Sequence, residues 1–331
     1  LVTNTNISAW TAYLQIYPPA AEYCGATTGD DGNPGTIGSP FRTVQHAHDV
    51  MAPGNICHIR AGTYTTNTIA ITNSGTAVQP IYYRAYSNEV VIIRAGGVSP
   101  QGSAIFVDRA KHLVFNKLRV AKGTNEGMSF TVAKSNLITN CVIYSNGKYG
   151  VAWYAASDMN RITKCTLYYN GWPANAAGYT GPAGILINNS RDATIWSNTC
   201  RTNAWHGIRA EYSANNLLIK GNSCTRNQKD GIIAVNGCSG IDIISNRCYR
   251  QVAEQGILVY GCNDINIIGN ITYRNVFNGI QVQAGCQNVM IRNNTSFSNT
   301  DGGITLWDNG VGPITVLSNT SYRNWGFNSG I

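Results

Sequence analysis

The second half of the chain repeats a unit of 24 or 25 residues, and this repeat restricts the possible folds more than any other feature. An asparagine recurs at the same place in six successive units, at Asn198, Asn222, Asn246, Asn270, Asn294 and Asn319. A second column of amides follows five residues later, at Asn203, Asn227, Gln251, Asn275, Asn299 and Asn324. Self-similarity with a period of about 20–50 residues is typical of a solenoid, in which each unit stacks on the next.

The segments between the amides predict strands rather than helices. A Gly-Ile pair opens a short apolar run at Gly207, Gly231, Gly256, Gly279 and Gly303. Alternating runs of this length, bounded by Gly and Asn, are typical of strands joined by turns. Successive units then stack as parallel strands roughly 4.8 Å apart, and asparagine suits the turns because it tolerates a left-handed backbone. The sequence therefore predicts an all-β parallel β-helix with about 24 residues per coil.

We expect a single domain over residues 1–331, with a lead-in and N-terminal cap in residues 1–54 and coils in residues 55–331. Residues 1–23 show no repeat and predict an irregular lead-in. Ser39-Pro40 predicts the start of a short capping helix, whose apolar face is Phe41, Val44, Ala47 and Met51. Such a helix would cover the open end of the solenoid.

The N-terminal segment also carries a family pattern. It reads Asp-x-Asn-Pro-Gly at 31–35, Pro-Phe-x-Thr at 40–43, a Pro-Gly turn at 53–54 and Ala-Gly-Thr-Tyr at 61–64. Residues 25–95 resemble the start of secreted right-handed β-helix polysaccharide lyases of the pectate, alginate and chondroitin lyase types. The resemblance implies a right-handed β-helix and a secreted enzyme that cleaves a uronate-containing polysaccharide by β-elimination.

The overall charge agrees with an anionic partner. The chain carries a formal net charge of +8, although only 12% of its residues are charged. There is no Lys/Arg-rich run and no DNA-binding helix pattern, so an acidic polysaccharide fits better than nucleic acid; a basic surface without functional meaning is the alternative. The chain begins at Leu1 without a signal-peptide core, which predicts a processed or trimmed product. No stretch approaches the roughly 18 apolar residues of a membrane span.

Eight of the ten cysteines recur at the repeat spacing, in the columns Cys141/Cys165, Cys200/Cys224/Cys248 and Cys238/Cys262/Cys286. We expect these columns to be buried thiols that act as small apolar residues, with cross-coil disulfides as the alternative. Cys24 and Cys57 lie outside the columns and are the better candidates for a disulfide in a secreted protein.

Candidate catalytic residues lie beside the Gly-Ile pairs, where alternate strand residues are expected to point outward. β-Elimination needs a base for the proton next to the uronate carboxylate and a cation for the charge that develops. Lys229 is the first choice for the base and His206 the second. Arg209 is expected to hold the substrate carboxylate by bidentate pairing.

Three acidic residues on the same face have two possible roles. Glu211, Asp230 and Glu254 could together hold a Ca²⁺ ion that neutralises the substrate carboxylate. Alternatively, Asp230 and Glu254 on neighbouring coils could serve as the two acids of a glycoside hydrolase, which ranks below the lyase.

The remaining candidates are substrate-binding residues, namely Arg250, Trp205, Tyr260, Tyr154, Trp307 and Trp172. Trp172 lies in a long turn at 170–184, which could form one wall of a binding groove. The same aromatic residues also allow a non-enzymatic interpretation, in which the solenoid is a structural or adhesive glycan-binding protein. No cap follows the last coil, so the chain is either trimmed there or stacks end to end into filaments rather than remaining a monomer.

Overall fold

The computed structural model describes residues 28–97, 102–171, 181–307 and 312–326, together with the backbone of residues 21–24. These residues form one helix and 33 strands. The helix is α1 (Val44–Val50).

The strands, in chain order, are β1 (Ala21–Cys24), β2 (Ile56–Ile59), β3 (Gly62–Thr66), β4 (Ile69–Ile71), β5 (Ile81–Ala85), β6 (Val91–Ala95), β7 (Ser103–Asp108), β8 (Leu113–Asn116), β9 (Arg119–Ala121), β10 (Glu126–Thr131), β11 (Leu137–Thr139), β12 (Val142–Tyr144), β13 (Tyr149–Tyr154), β14 (Arg161–Thr163), β15 (Thr166–Tyr168), β16 (Ala183–Asn188), β17 (Thr194–Trp196), β18 (Thr199–Arg201), β19 (His206–Glu211), β20 (Asn215–Lys220), β21 (Ser223–Thr225), β22 (Ile232–Val235), β23 (Ser239–Ile244), β24 (Arg247–Tyr249), β25 (Ile257–Tyr260), β26 (Asn263–Ile268), β27 (Ile271–Tyr273), β28 (Ile280–Val282), β29 (Gln287–Arg292), β30 (Thr295–Phe297), β31 (Ile304–Leu306), β32 (Ile314–Leu317) and β33 (Thr320–Tyr322).

The strands form three parallel sheets that wind into a right-handed β-helix. Sheet A contains β1 and β2 and then every third strand to β32, sheet B runs from β3 to β33, and sheet C runs from β4 to β31. From β2 onward the chain therefore visits sheets A, B and C in turn. Residues 24 apart lie side by side on neighbouring coils, as Cys200 and Cys224 do. The predicted fold class is confirmed.

Apolar side chains of the same column fill the interior. The isoleucine of each Gly-Ile pair is at most 3% exposed, in the column Ile208, Ile232, Ile257, Ile280 and Ile304. Burying one such side chain stabilises the fold by about 1.5–3 kcal/mol. Since each coil adds its own inward residues, the core grows along the axis rather than outward.

The asparagine columns bond from coil to coil. In Asn222 the side-chain amide donates to Asn246 Oδ1 at 3.0 Å and to the carbonyl of Ile195 at 2.8 Å. The backbone N–H of Asn222 donates to the same Asn246 oxygen at 2.9 Å. These bonds satisfy buried polar groups of the turn between sheets A and B.

The N-terminal cap differs from its prediction in two details. Helix α1 begins at Val44 with Thr43 as its cap, rather than at Ser39-Pro40, because the Thr43 hydroxyl accepts from His46 N–H and is itself held by Asp31 at 2.9 Å. The predicted apolar face is nonetheless buried. Residues 21–24 form a strand of sheet A rather than part of an irregular lead-in, because they pair with β2. The helix of the described residues, seven residues long, is too short to cross a membrane.

The cysteine columns are buried free thiols, as predicted. Cys200, Cys224 and Cys248 are fully buried neighbours in sheet B. Burial raises the pKa of the Cys248 thiol, which favours its neutral form. Cys141, Cys165, Cys238, Cys262 and Cys286 are also buried free thiols. The side chain of Cys24 lies outside the described residues, so a Cys24–Cys57 disulfide stays a prediction.

Candidate functional site

The outer face of sheet C brings most of the predicted site residues together. In β19, Arg209 lies beside Leu186 of the preceding coil and Ile233 of the following one. Glu211 lies in the same way between Asn188 and Val235. The predicted columns therefore exist, with the strands in the predicted register.

These outward-pointing residues are nevertheless buried. The side chains of Arg209 and Glu211 are only 4% and 2% exposed. On the neighbouring coils, Tyr149, Ala152, Ala183 and Leu186 form a small apolar cluster on this outer face, separate from the core, and Tyr154 packs against it. Neighbouring side chains on the face thus bury one another. The alternation pattern gives the direction of a side chain but not how deeply its neighbours cover it.

Arg209 is paired with a residue of its own strand. Its Nε lies 2.8 Å and its Nη2 2.6 Å from Glu211 Oε2, in a two-pronged contact. The second oxygen of Glu211 accepts from Asn188 Nδ2 at 3.0 Å. The guanidinium predicted to hold a substrate carboxylate therefore already holds a carboxylate of the protein.

His206 extends this network to the next coil. Its Nδ1 lies 3.1 Å from Asp230 Oδ2, and its Nε2 lies 3.5 Å from Arg209 Nη1. The ring of His206 therefore lies between the carboxylate of Asp230 and the guanidinium of Arg209. A chain of polar contacts therefore links Asp230 to Glu211 across the buried part of the face.

Lys229 lies at the exposed rim of the network. Its Nζ is 2.8 Å from Glu254 Oε1, and the two side chains are 35% and 30% exposed. The ammonium also lies 5.9 Å from the centre of the Trp205 ring. The backbone N–H of Lys229 donates to the carbonyl of Trp205 at 2.7 Å, which fixes the two residues on adjacent coils. A half-buried cation and a half-buried indole thus lie side by side at this rim.

The other predicted binding residues are spread out. Tyr260 and Trp307 lie on or directly after strands of sheet C and are 44% and 65% exposed. Arg250 does not belong to this face, because it lies in the turn that follows β24 of sheet B. Trp172 lies outside the described residues. The long turn that contains it leaves and rejoins the described part of the chain next to Trp205, against which Gly181 is closely packed.

Glu126 and Tyr149 are candidate residues that the sequence prediction missed. The carboxylate of Glu126 accepts from Ser103 Oγ at 3.0 Å and from the Tyr154 hydroxyl at 3.1 Å. Burial raises the pKa of Glu126, and burial followed by the nearby Glu211 carboxylate raises the pKa of Tyr149 to about 12. Both residues directly precede a glycine, as His206 does, so the Xaa-Gly pair that opens each sheet C strand was the available signal.

The residues proposed for calcium do not fit a calcium site. Glu211, Asp230 and Glu254 each face a different cationic or imidazole partner, namely Arg209, His206 and Lys229. Within the described ranges, no three His, Cys, Asp or Glu side chains are arranged to hold a metal ion. Calcium dependence therefore stays a prediction without support from these three carboxylates.

Comparisons with known proteins agree with the fold. Residues 23–201 match a family model described as "Pel9A-like, right handed beta helix region", and residues 183–331 match a general right-handed β-helix model. Among curated proteins, 89 residues are 40% identical to pectate lyase PEL9 of Emericella nidulans, covering 26% of this chain and 22% of that protein. A stretch of 97 residues is 37% identical to the uncharacterized protein YwoF of Bacillus subtilis, covering 29% and 19%. The match thus spans about a fifth of each relative.

Solved structures show the same architecture at low identity. Pectate lyase Pel9A superposes with a TM-score of 0.70 at 18% identity, over 88% of this chain and 79% of that one. An alginate lyase from Paenibacillus sp. gives 0.58 at 20% identity, over 85% and 93%. A GH136 lacto-N-biosidase from Eubacterium ramulus gives 0.63 at 15% identity, over 91% and 67%. With more than half of its residues matched by one family model, the chain belongs to the Pel9A-like right-handed β-helix family.

Proposed function

We propose that this protein binds a uronate-containing polysaccharide along the outer face of sheet C and cleaves it by β-elimination. The observation that carries the proposal is the pairing of Lys229 with Trp205 at the open rim of the buried charged network. Membership of a family that contains a pectate lyase supports the same reaction. Because such polymers are extracellular, we infer that the protein is secreted.

The chemistry assigns one role to each rim residue. The half-buried indole of Trp205 offers the open part of its face to a sugar ring. Lys229, once it has released its proton, takes the proton from the carbon next to the uronate carboxylate. The electron pair forms a carbon–carbon double bond, the glycosidic bond on the neighbouring carbon breaks, and the leaving oxygen takes up a proton.

The buried residues have a positioning role in this proposal. Arg209 is held by Glu211, and His206 faces Asp230 on the next coil. This network ties β19 to the coil that carries Lys229 and so fixes the base relative to Trp205. An interaction that holds a base in its reactive geometry contributes to the rate without contacting the substrate.

The test is the rate of formation of unsaturated uronate, followed by its ultraviolet absorbance, on polygalacturonate, alginate and chondroitin. K229A is expected to lower the rate on the preferred polymer by at least about 100-fold, as expected for removal of a general base. K220A removes an exposed lysine at the end of β20 in sheet A and is the matched control. Equal rates for K229A and K220A would contradict the assignment.

Hydrolysis is the second candidate, favoured by the GH136 structural neighbour. Asp230 and Glu254 are its two acids, yet each faces its own partner, His206 and Lys229. The non-catalytic alternative, a glycan-binding solenoid that stacks into filaments, predicts binding without any product and fibres in electron micrographs.

A further inference from the structure

The outer face of sheet B carries a continuous aromatic column. Tyr249, Tyr273, Phe297 and Tyr322 occupy one register position on four successive coils. Their ring centres are 4.9, 4.9 and 5.1 Å apart, and neighbouring planes are within 5° of parallel. All but the two end faces, those of Tyr249 and Tyr322, are therefore covered within the column, and the ring edges point outward. These edges carry the partial positive charge of the aromatic quadrupole.

A column of arginines runs directly beside the aromatic column. Four exposed arginines each come one residue after a member of the aromatic register position, namely Arg226, Arg250, Arg274 and Arg323. Their backbones share the left-handed conformation, with φ between 53° and 56°. The N–H groups of Arg250 and Arg274 donate to the carbonyls of Tyr273 and Phe297 on the next coil, at 3.1 and 3.3 Å. Arg226, Arg250 and Arg274 therefore leave the backbone at intervals of one coil, and Ser298 takes the position between Arg274 and Arg323.

A fifth arginine lies on the other side of the aromatic column. The guanidinium of Arg247, on β24, lies 5.7 Å from the centre of the Tyr273 ring. Among the ion pairs of the described residues, none involves Arg226, Arg247, Arg250, Arg274 or Arg323. We call these five arginines and the four stacked rings the sheet B stripe.

The stripe has an electrostatic reason to bind a linear polyanion. Like charges repeated at roughly 4.8 Å repel one another, and an anionic chain lying along the axis would neutralise several of them together. Guanidinium groups also suit carboxylates, which they can bind in a two-pronged geometry. Single-stranded nucleic acid fits less well, because it relies on bases stacking on open aromatic faces, and neighbouring rings cover all but the two end faces of this column.

We propose that the sheet B stripe is a second, non-catalytic binding surface for a carboxylated polysaccharide, separate from the rim around Lys229. Polysaccharide held along sheet B would keep the protein on an insoluble or long substrate, while another stretch of the polysaccharide occupies the face of sheet C. The inference does not require cleavage at Lys229, because it concerns affinity alone.

The test compares two triple variants in a K229A background, so that the polymer is not consumed. R226S/R250S/R274S removes three charges from the stripe, and serine is compatible with this column because Ser298 occupies it with φ 55°. K117S/K164S/K220S removes three exposed lysines near the corner of sheets A and B and matches the change in net charge. Affinity for polygalacturonate is measured over a salt series, with the melting temperature as a check on folding.

The arginine variant is expected to bind polygalacturonate about tenfold more weakly and with a shallower salt dependence, while the lysine variant binds like its parent. Equal affinities of the arginine variant and its parent would overturn the proposal, as would equal losses in both triple variants. Equally tight binding of a single-stranded DNA oligomer by the parent would overturn the choice of a carboxylated polymer. Failure of the cleavage proposal would show separately. In that case the wild-type protein would form no product, while the arginine variant would still bind polygalacturonate more weakly than its parent.

Discussion

The ammonium of Lys229 lies 2.8 Å from the carboxylate of Glu254 on the following coil, at the exposed rim of sheet C. The contact holds the amine in place beside Trp205. A general base needs such a fixed position in order to reach the proton that it removes.

E254Q removes this carboxylate with little change of shape. We expect the rate on polygalacturonate to fall about tenfold, because the amine is then held less firmly in its reactive position. D49N, which neutralises an exposed aspartate of α1, is the control. A rate for E254Q equal to that of the wild type would argue against this positioning role of Glu254.

The buried pair of Arg209 and Glu211 predicts a large loss of stability when it is broken. R209M leaves the carboxylate of Glu211, 2% exposed, without its cation, and is expected to destabilise the protein by about 3–5 kcal/mol. R209M/E211L removes both charges and should recover most of the loss. The measurement is urea denaturation of the three proteins. Similar midpoints for R209M and the double variant would contradict this account.

Glu126 predicts a pH dependence of stability. Burial raises the pKa of Glu126 in the folded protein. The stability that its protonated form contributes is therefore fully present below the ordinary glutamate pKa, and it is lost as the pH rises through the pKa of the folded state. E126Q, which mimics the protonated acid, should raise the melting temperature at neutral pH but have little effect in mild acid. A difference between variant and wild type that stays constant with pH would exclude this explanation.

Loss of a buried amide in the asparagine column is expected to cost more stability than loss of an exposed amide. Asn246 accepts from the backbone and the side chain of Asn222 and donates to Ile219 and Asn270. N246A leaves these buried groups unsatisfied and should cost about 1–3 kcal/mol or more. N88A removes an exposed amide that accepts from Lys117 Nζ at 3.0 Å, and should cost much less. Equal losses of melting temperature would show that burial of the column is not what stabilises it.

The fold could be predicted from the repeat because one coil's length determines which residues meet. The Gly-Ile pairs predict where the strands Ile232–Val235 and Ile257–Tyr260 begin, since each strand starts at the isoleucine of its pair. The strand Ser223–Thr225 was not predicted, since three residues are too few to show alternation. The start of α1 was misplaced because the side chain that accepts the helix N–H belongs to Thr43, whose hydroxyl Asp31 orients from twelve residues away.

The site was less predictable than the fold. Sequence columns place Arg209 and Glu211 on adjacent outward positions, but they do not show that the guanidinium turns along its own strand instead of toward solvent. Glu126 was missed because the coils around it lack the regular amide spacing that aligns the later ones. Arg250 was predicted to bind substrate together with the sheet C residues, but it lies one residue beyond β24 of sheet B and therefore on another face.

The most direct test of the central claim is the mass of the products released from polygalacturonate, alginate or chondroitin by the wild-type protein. β-Elimination predicts oligosaccharides with an unsaturated end, one water lighter than the corresponding hydrolysis products, and predicts their loss in K229A. Saturated products, or no product from any of the three polymers, would contradict the proposed lyase reaction.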